Sequence, residues 1–339
     1  MKKILLLISC MLAVWGVCIS ANAAPGDEEA FTTAFLDGAG QRAIRRNGWM
    51  AYAFSNDTYY LESGDGTIYS WKPGDKAATV SYQLAAISRL TSEQLTKEHI
   101  EASKERATHL VPIDDELWAL NLFSASEYMK IGKITEEGVA WEPLHFDISM
   151  IKDWTDLWHP FVENGKLYAH YDLSWQNDHD RSEMVILEFD LSNGQCKAID
   201  TQHADFFAPY KPGYVLLLHG GMTASPSLSV MELATGEMER LPLEIPPQAT
   251  APQPATGGPW MEDINMRVPR IGGLAYDPAS DSIYFYIPSV VWKSQAGGPF
   301  EPIATLPTNY IAMDAQAWIL SDGRYGIQNG GEFYVRATK

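Results

Sequence analysis

Apolar and polar residues alternate along short runs through most of this chain, and the runs fall into groups. The clearest group occupies residues 165–199, GKLYAHYDLSWQNDHDRSEMVILEFDLSNGQCKAI, with alternating stretches at 166–173, 183–189 and 195–199. Asn164-Gly165 precedes the first stretch and Asp190-Leu191-Ser192-Asn193-Gly194 joins the last two, and both are turn chemistry for tight antiparallel connections. This predicts a β-meander. The same grammar returns at 213–243, where Glu232-Leu233-Ala234-Thr235-Gly236 stands in the place of the Asp-Leu-Ser-Asn-Gly turn. Two meanders with one turn signature are an internal repeat. A lone four-stranded meander leaves an apolar face exposed, so repeats of this length stack radially into a β-propeller.

Carried along the chain, the pattern predicts blade one at 49–54, 58–62, 67–71 and 78–84, and blade two at 109–113, 116–123, 128–134 and 139–146. Blade three opens at 159–162 and continues through the first meander, and blade four runs from 205 to 243. Blade five is expected at 271–276, 282–287, 290–293 and 300–304, and blade six at 309–313, 317–320, 325–327 and 332–336. Residues 31–36 supply a strand that closes the ring against the last blade. The expected fold is all-β, a six-bladed propeller of four-stranded antiparallel blades, or seven-bladed if two have been merged. Two stretches break the pattern. Thr91-Ser92-Glu93-Gln94 reads as a capping box, so 88–108 is expected to be a short helical insert burying only Leu90, Leu95 and Ile100. Residues 244–270 are Pro-rich and aperiodic, a long loop beyond which the strand pattern resumes.

The N-terminus changes the picture of where the chain works. Met1-Lys2-Lys3, an apolar segment from Ile4 to Ser20 and Ala21-Asn22-Ala23 form a secretory signal peptide over residues 1–23, which leaves 24–339 as one domain in the periplasm or outside the cell. Leu7-Ile8-Ser9-Cys10 also fits a lipoprotein cleavage box, which would anchor the chain at Cys10. After cleavage at Ala23, Cys196 is the last of the three cysteines, so no intramolecular disulfide is expected. No transmembrane span is expected in the mature chain. The net charge of −18 argues against nucleic acid and against an anionic membrane surface as partners.

Strand order sorts the connections by face. In a four-stranded blade, the connection after the second strand and the link to the next blade leave from the same end of the disc. Every long excursion then falls on one side: 88–108, 147–158, 174–182, 220–226 and 244–270. Irregular loops grouped on a rigid scaffold are where binding groups collect. That side carries the candidate ligand-binding residues Trp154, Trp158, His159, Trp175, His203, Asp205, Trp260, Asp263, Arg267 and Arg270. Tryptophans among carboxylates and arginines suit stacking on sugar rings or gripping an extended peptide, although each tryptophan alone has packing as its ordinary explanation. Asp178, His179 and Asp180 offer ligand types that bind Ca²⁺ or Zn²⁺, with no complete motif around them. His203, Asp205 and His159 could supply acid and base at the channel mouth, and Asp178 with Asp263 a carboxylate pair for glycoside cleavage. His219-Gly220-Gly221 has the form of an oxyanion turn, but no G-x-S-x-G elbow accompanies it. Nor is there a Walker loop, a dinucleotide fingerprint, H-E-x-x-H or paired C-x-x-C, so no cofactor is expected.

Asp190-Leu191-Ser192-Asn193-Gly194, the run from Ala275 to Tyr284 and Ser321-Asp322-Gly323-Arg324-Tyr325 resemble blade phrases of bacterial secreted propellers, the TolB-like class and the propeller domains that accompany extracellular solute-binding proteins. A further likeness, carried by His159-Pro160, Gly165-Lys166-Leu167-Tyr168 and Gly272-Gly273-Leu274-Ala275-Tyr276-Asp277, is to the heavy chain of periplasmic amine dehydrogenases. In that family the quinone cofactor sits on a separate small subunit and the heavy chain is a scaffold. The reading that follows is a secreted non-catalytic propeller that binds a carbohydrate, peptide or partner protein through its long-loop face, with an association with solute uptake. Its alternatives are a heavy-chain-like scaffold subunit and a carbohydrate-active propeller enzyme.

Overall fold

The computed structural model describes residues 31–36, 40–45, 51–62, 67–76, 78–84, 107, 109–121, 129–144, 158–172, 184–220, 226–246, 271–287, 290–305, 316–329 and 332–335, which form strands, turns and links with no helix among them. The helix expected over 88–108 and the loop expected over 244–270 lie outside these residues, apart from Ala107 and residues 244–246, which have no regular structure. The strands form six antiparallel sheets, and the architecture is a six-bladed β-propeller.

Blade one comprises Tyr52–Ser55, Thr58–Glu62, Thr67–Trp71 and Thr79–Gln83, paired in chain order. Blade three comprises Trp158–Glu163, Lys166–Asp172, Met184–Asp190 and Cys196–Asp200. Blade four is Ala204–Pro209, Tyr214–His219, Ser227–Glu232 and Met238–Arg240, and blade five Gly272–Asp277, Ser282–Ile287, Val290–Gln295 and Glu301–Thr305. In blade two, His109–Ile113, Glu116–Asn121 and Lys130–Thr135 are regular, but two short pieces, Gly138–Val139 and Glu142–Pro143, share the place of the fourth strand. The first strands pack around the axis.

Blade six corrects the sequence reading at its outer edge. Its innermost strand among the described residues is Gln316–Ile319, followed by Tyr325–Asn329 and Glu332–Val335, close to the last three strands expected, while the strand expected at 309–313 lies outside the described residues. The fourth place is taken by Gly40–Arg45, which pairs with Glu332–Val335. Among the described residues Phe31–Leu36 pairs only with Gly40–Arg45 and so becomes a fifth, outermost strand instead of the closing one. Pattern along the chain suggests four consecutive strands per blade, whereas a closed ring takes its last ladder from whichever segment completes it, here the N-terminal one.

The turns explain why the meanders form where they do. Asn56-Asp57, Asp114-Asp115 and Asn164-Gly165 all have positive φ at both positions and join the first two strands of their blades as two-residue hairpins. The repeat signature is structural. The carboxylate of Asp190 accepts from the Ser192 N–H at 2.9 Å, the Ser192 hydroxyl at 2.6 Å and the Asn193 amide at 3.0 Å, and Gly194 closes the turn on the Asp190 carbonyl at 2.9 Å. In blade four, Thr235 donates to Glu232 at 2.6 Å and Gly236 to the Glu232 carbonyl at 2.8 Å. Gly194 and Gly236 have φ of 72° and 74°, a conformation glycine adopts without steric cost.

The buried apolar residues separate into six clusters, and each lies between two neighbouring blades. Val111, Leu120, Leu167 and Phe189 join blades two and three, Tyr168, Ile186, Phe207 and Leu217 join three and four, and Phe54, Tyr59, Trp71 and Phe333 close six onto one. Strands buried on both faces explain near-continuous apolar runs such as Met184–Asp190, all but the last residue of which is buried.

Candidate functional site

Stacking six sheets about one axis leaves a cavity of about 400 Å³ on that axis. Each innermost strand gives it a residue: Phe54, Pro112, His159, Phe206, Leu274 and Trp318. Toward the end that carries the short turns, the lining passes to Glu163, Tyr210, Lys211 and Tyr214. The walls are predominantly rings and aliphatic groups, with a few polar groups set among them, the usual composition of a pocket for a ligand with an apolar body.

The polar groups are held by the turns around them. Glu163 accepts the Gly213 N–H at 2.9 Å, tying the hairpin end of blade three to that of blade four. Tyr210 and Tyr276 bring their ring centroids within 4.2 Å, and the Lys211 ammonium lies 4.9 Å and 5.9 Å from the two centroids. The Tyr276 hydroxyl donates to Asp281 at 2.7 Å, and burial together with that bond pushes its pKa well above the ordinary phenol value. Tyr214 is 39% exposed at the rim.

Three consecutive first strands are bulged near their starts, at Trp158/Phe161, Ala204/Phe206 and Gly272/Ala275. A bulge re-aims the side chains of its strand. His159, in the first bulge, has φ of 55° and is 8% exposed. Its ring lies 6.5 Å from His170, 6.1 Å from Phe206 and 6.2 Å from Phe207. His170 is fully buried between blades three and four, and burial lowers its pKa to about 4 despite a hydrogen bond to the Ala204 backbone. His219 is lowered by burial as well, with a backbone bond to Gln202 acting against the shift and Arg240 and His203 adding to it.

Of the residues singled out in sequence, the structure describes four. Trp158 and His159 begin the first strand of blade three, His203 is exposed in the short link before blade four with φ of 66°, and Asp205 is half-buried in the bulge behind it. His159 therefore faces aromatic surroundings on the axis. Trp154, Trp175, Trp260, Asp263, Arg267 and Arg270, with the metal-type residues Asp178, His179 and Asp180, lie outside the described residues. Among the described residues no group of three or more His, Cys, Asp or Glu is placed to hold a metal ion. Sequence reasoning missed the axial wall itself. Its signal was available in the alternate residues of the first strands, Phe54, Phe206 and Trp318, once those strands are known to be innermost.

No protein-family model matches the chain, and no curated protein matches it in sequence. Among solved structures it is similar to a gluconolactonase from Xanthomonas campestris, at 9% identity over 92% of this chain and 96% of that one, with a TM-score of 0.50. It is also similar to virginiamycin B lyase from Staphylococcus aureus, at 12% identity over 91% of this chain and 87% of that one, TM-score 0.38. A third is BamB from Moraxella catarrhalis, at 12% identity over 91% and 82%, TM-score 0.36. At such identity the likeness to the gluconolactonase speaks for the propeller fold alone.

Proposed function

We propose that this chain is an exported, non-catalytic binding propeller that holds an apolar part of its ligand in the axial cavity. The observation that carries the reading is the wall of that cavity, to which all six innermost strands contribute and in which Phe54, Phe206, Leu274 and Trp318 predominate. An apolar wall favours a hydrophobic side chain of a peptide or protein partner over a sugar, whose hydroxyls would lose water without gaining enough hydrogen bonds. Export rests on the charged, apolar and A-x-A pattern of residues 1–23. Entry is assigned to the end with the long connections, whose Trp154, Trp158 and Trp260 would supply stacking area to the rest of the ligand.

The neutral dye N-phenyl-1-naphthylamine tests the cavity directly, because its fluorescence rises when it leaves water. Binding should be saturable, and Ala317→Trp, which puts a large ring against the wall, should weaken it by about tenfold or more. Undiminished binding by a folded Ala317→Trp variant would place the apolar site elsewhere. With a peptide ligand in hand, Trp154→Ala, Trp158→Ala and Trp260→Ala should each weaken binding at unchanged Tm, and Glu137→Ala, in an exposed short turn outside the cavity lining, should not.

A further inference from the structure

Blades five and six pack through Tyr284, Tyr286, Val291, Tyr325, Ile327 and Tyr334. Where the sheets diverge, toward the hairpin of blade six, they leave a second cavity of about 220 Å³. Its interior is more apolar than polar, with Val291, Ile303, Ile327 and the tyrosine rings as walls. Its charged lining, among the described residues, is Lys293 and Arg324 and includes no carboxylate, in a chain of net charge −18.

The placement of Lys293 is informative. Glu301 stands directly opposite it in the ladder, the position from which a lysine ordinarily makes a cross-strand ion pair. Lys293 makes no ion pair among the described residues; its ammonium instead lies 5.4 Å from the centroid of the Tyr284 ring, which lines the cavity. Arg324 is fixed differently. Its Nε donates to Asp322 at 2.7 Å and its backbone N–H to the same carboxylate at 3.1 Å, and the side chain is only 19% exposed. One cation is thus anchored at the rim by a neighbouring carboxylate, and the other lies over a ring with no carboxylate of its own.

We infer that this wedge between blades five and six is a binding site for a small apolar monocarboxylate, with its ring or branched chain between the tyrosines and its carboxylate toward Lys293 and Arg324. The volume suits one substituted ring. A single negative charge fits a site with one cation lacking a carboxylate partner, whereas a phosphate would bring a second charge and a tighter hydration shell into apolar walls. The site is separate from the axial cavity and does not depend on the function proposed for it.

Fluorine NMR with 4-fluorophenylacetate as probe, and neutral 4-fluorophenylacetamide as control, separates the charge from the apolar body. The acid should bind about tenfold more tightly than the amide. Lys293→Gln should remove most of the acid's advantage over the amide, leaving the part that Arg324 supplies, with Tm unchanged. Ala304→Trp, which fills the wedge, should abolish binding of both probes but leave N-phenyl-1-naphthylamine binding in the axial cavity intact. Equal binding of acid and amide, no binding of the acid at millimolar concentration, or an acid preference undiminished by Lys293→Gln would each overturn the inference.

Discussion

The junction between blades three and four and the junction that closes blade six onto blade one do the same work with different means. Blade four follows blade three through the short link Thr201, Gln202 and His203, so the two sheets cannot separate far even when their packing fails. That junction contains buried imidazole as well as carbon, with His170 against Phe207 at 5.5 Å and the Glu188 carboxylate, 5% exposed, beside Lys166 and Lys197. The closing junction has a link as well, since Gly40–Arg45 of blade six precedes Tyr52 of blade one, but the other strands of blade six come from the far end of the chain and are held to that link only through the ladder between Gly40–Arg45 and Glu332–Val335. It is a stack of rings in which Phe333 meets Tyr59 at 4.5 Å, Phe54 at 5.5 Å, and Trp71 and Trp318 at 5.9 Å each. Closing a loop of nearly the whole chain costs entropy that packing must offset, and dense aromatic contact offsets more of it than a polar junction would.

The largest expected effect tests that difference. Phe333 is fully buried, so Phe333→Ala should cost about 3 to 5 kcal/mol of stability, since the rings around it cannot collapse into the space of a whole phenyl group. Equilibrium unfolding in guanidinium chloride measures it. A loss below about 1 kcal/mol would mean the ring is held mainly by its strand ladders, and the contrast between the junctions would fail.

The polar junction should respond to acid instead. His170 has its pKa lowered to about 4 in the folded chain against 6.5 as the ordinary value, with burial as the first cause. The unfolded chain therefore takes up a proton that the folded chain refuses. This contribution is fully present above pH 6.5, is lost as pH falls from there to about 4, and stops changing below that, for a total on the order of 3 kcal/mol. His170→Gln, which can still donate to the Ala204 backbone, should flatten the pH dependence across that window relative to the wild type. An unchanged slope would show that other groups govern acid unfolding.

These junctions also show what the sequence makes legible. Asp190 to Gly194 and Glu232 to Gly236 bind their own backbones within a few residues, so the meanders, the number of blades and most strand ends follow from local chemistry. The phrases that resemble TolB-like propellers are turns of this kind, and they report fold without reporting ligand. Closure was legible only in outline. Nothing local distinguishes Gly40–Arg45, which enters the ladder of the last blade, from Phe31–Leu36, which flanks it; the choice is made by a partner near residue 335. The axial wall was hidden for a related reason, since strands buried on both faces do not announce which face meets the axis. The wedge depends on where Lys293 directs its ammonium, and no spacing encodes that.

The smallest expected effect compares two hydrogen bonds that play matching roles. At the closing junction Asp57 accepts the backbone N–H of Ser321 at 2.8 Å and also the Ser321 hydroxyl, joining the hairpin of blade one to that of blade six. Between blades three and four, Glu163 accepts the single N–H of Gly213 at 2.9 Å. Asp57→Asn and Glu163→Gln keep the shape of each side chain and remove its charge, and asparagine tolerates the positive φ of 58° at position 57. Asp57→Asn should cost about 1 kcal/mol, because it weakens two charge-assisted bonds between hairpins from opposite ends of the chain. Glu163→Gln should cost about half as much, because one bond is weakened and the short link keeps its partner close. Paired denaturation curves at one pH and salt concentration resolve the order. If Glu163→Gln proved the more damaging, continuity of the chain would not be what lightens the demand on the junction of blades three and four, and the axial cavity that Glu163 lines would become the better explanation for that bond.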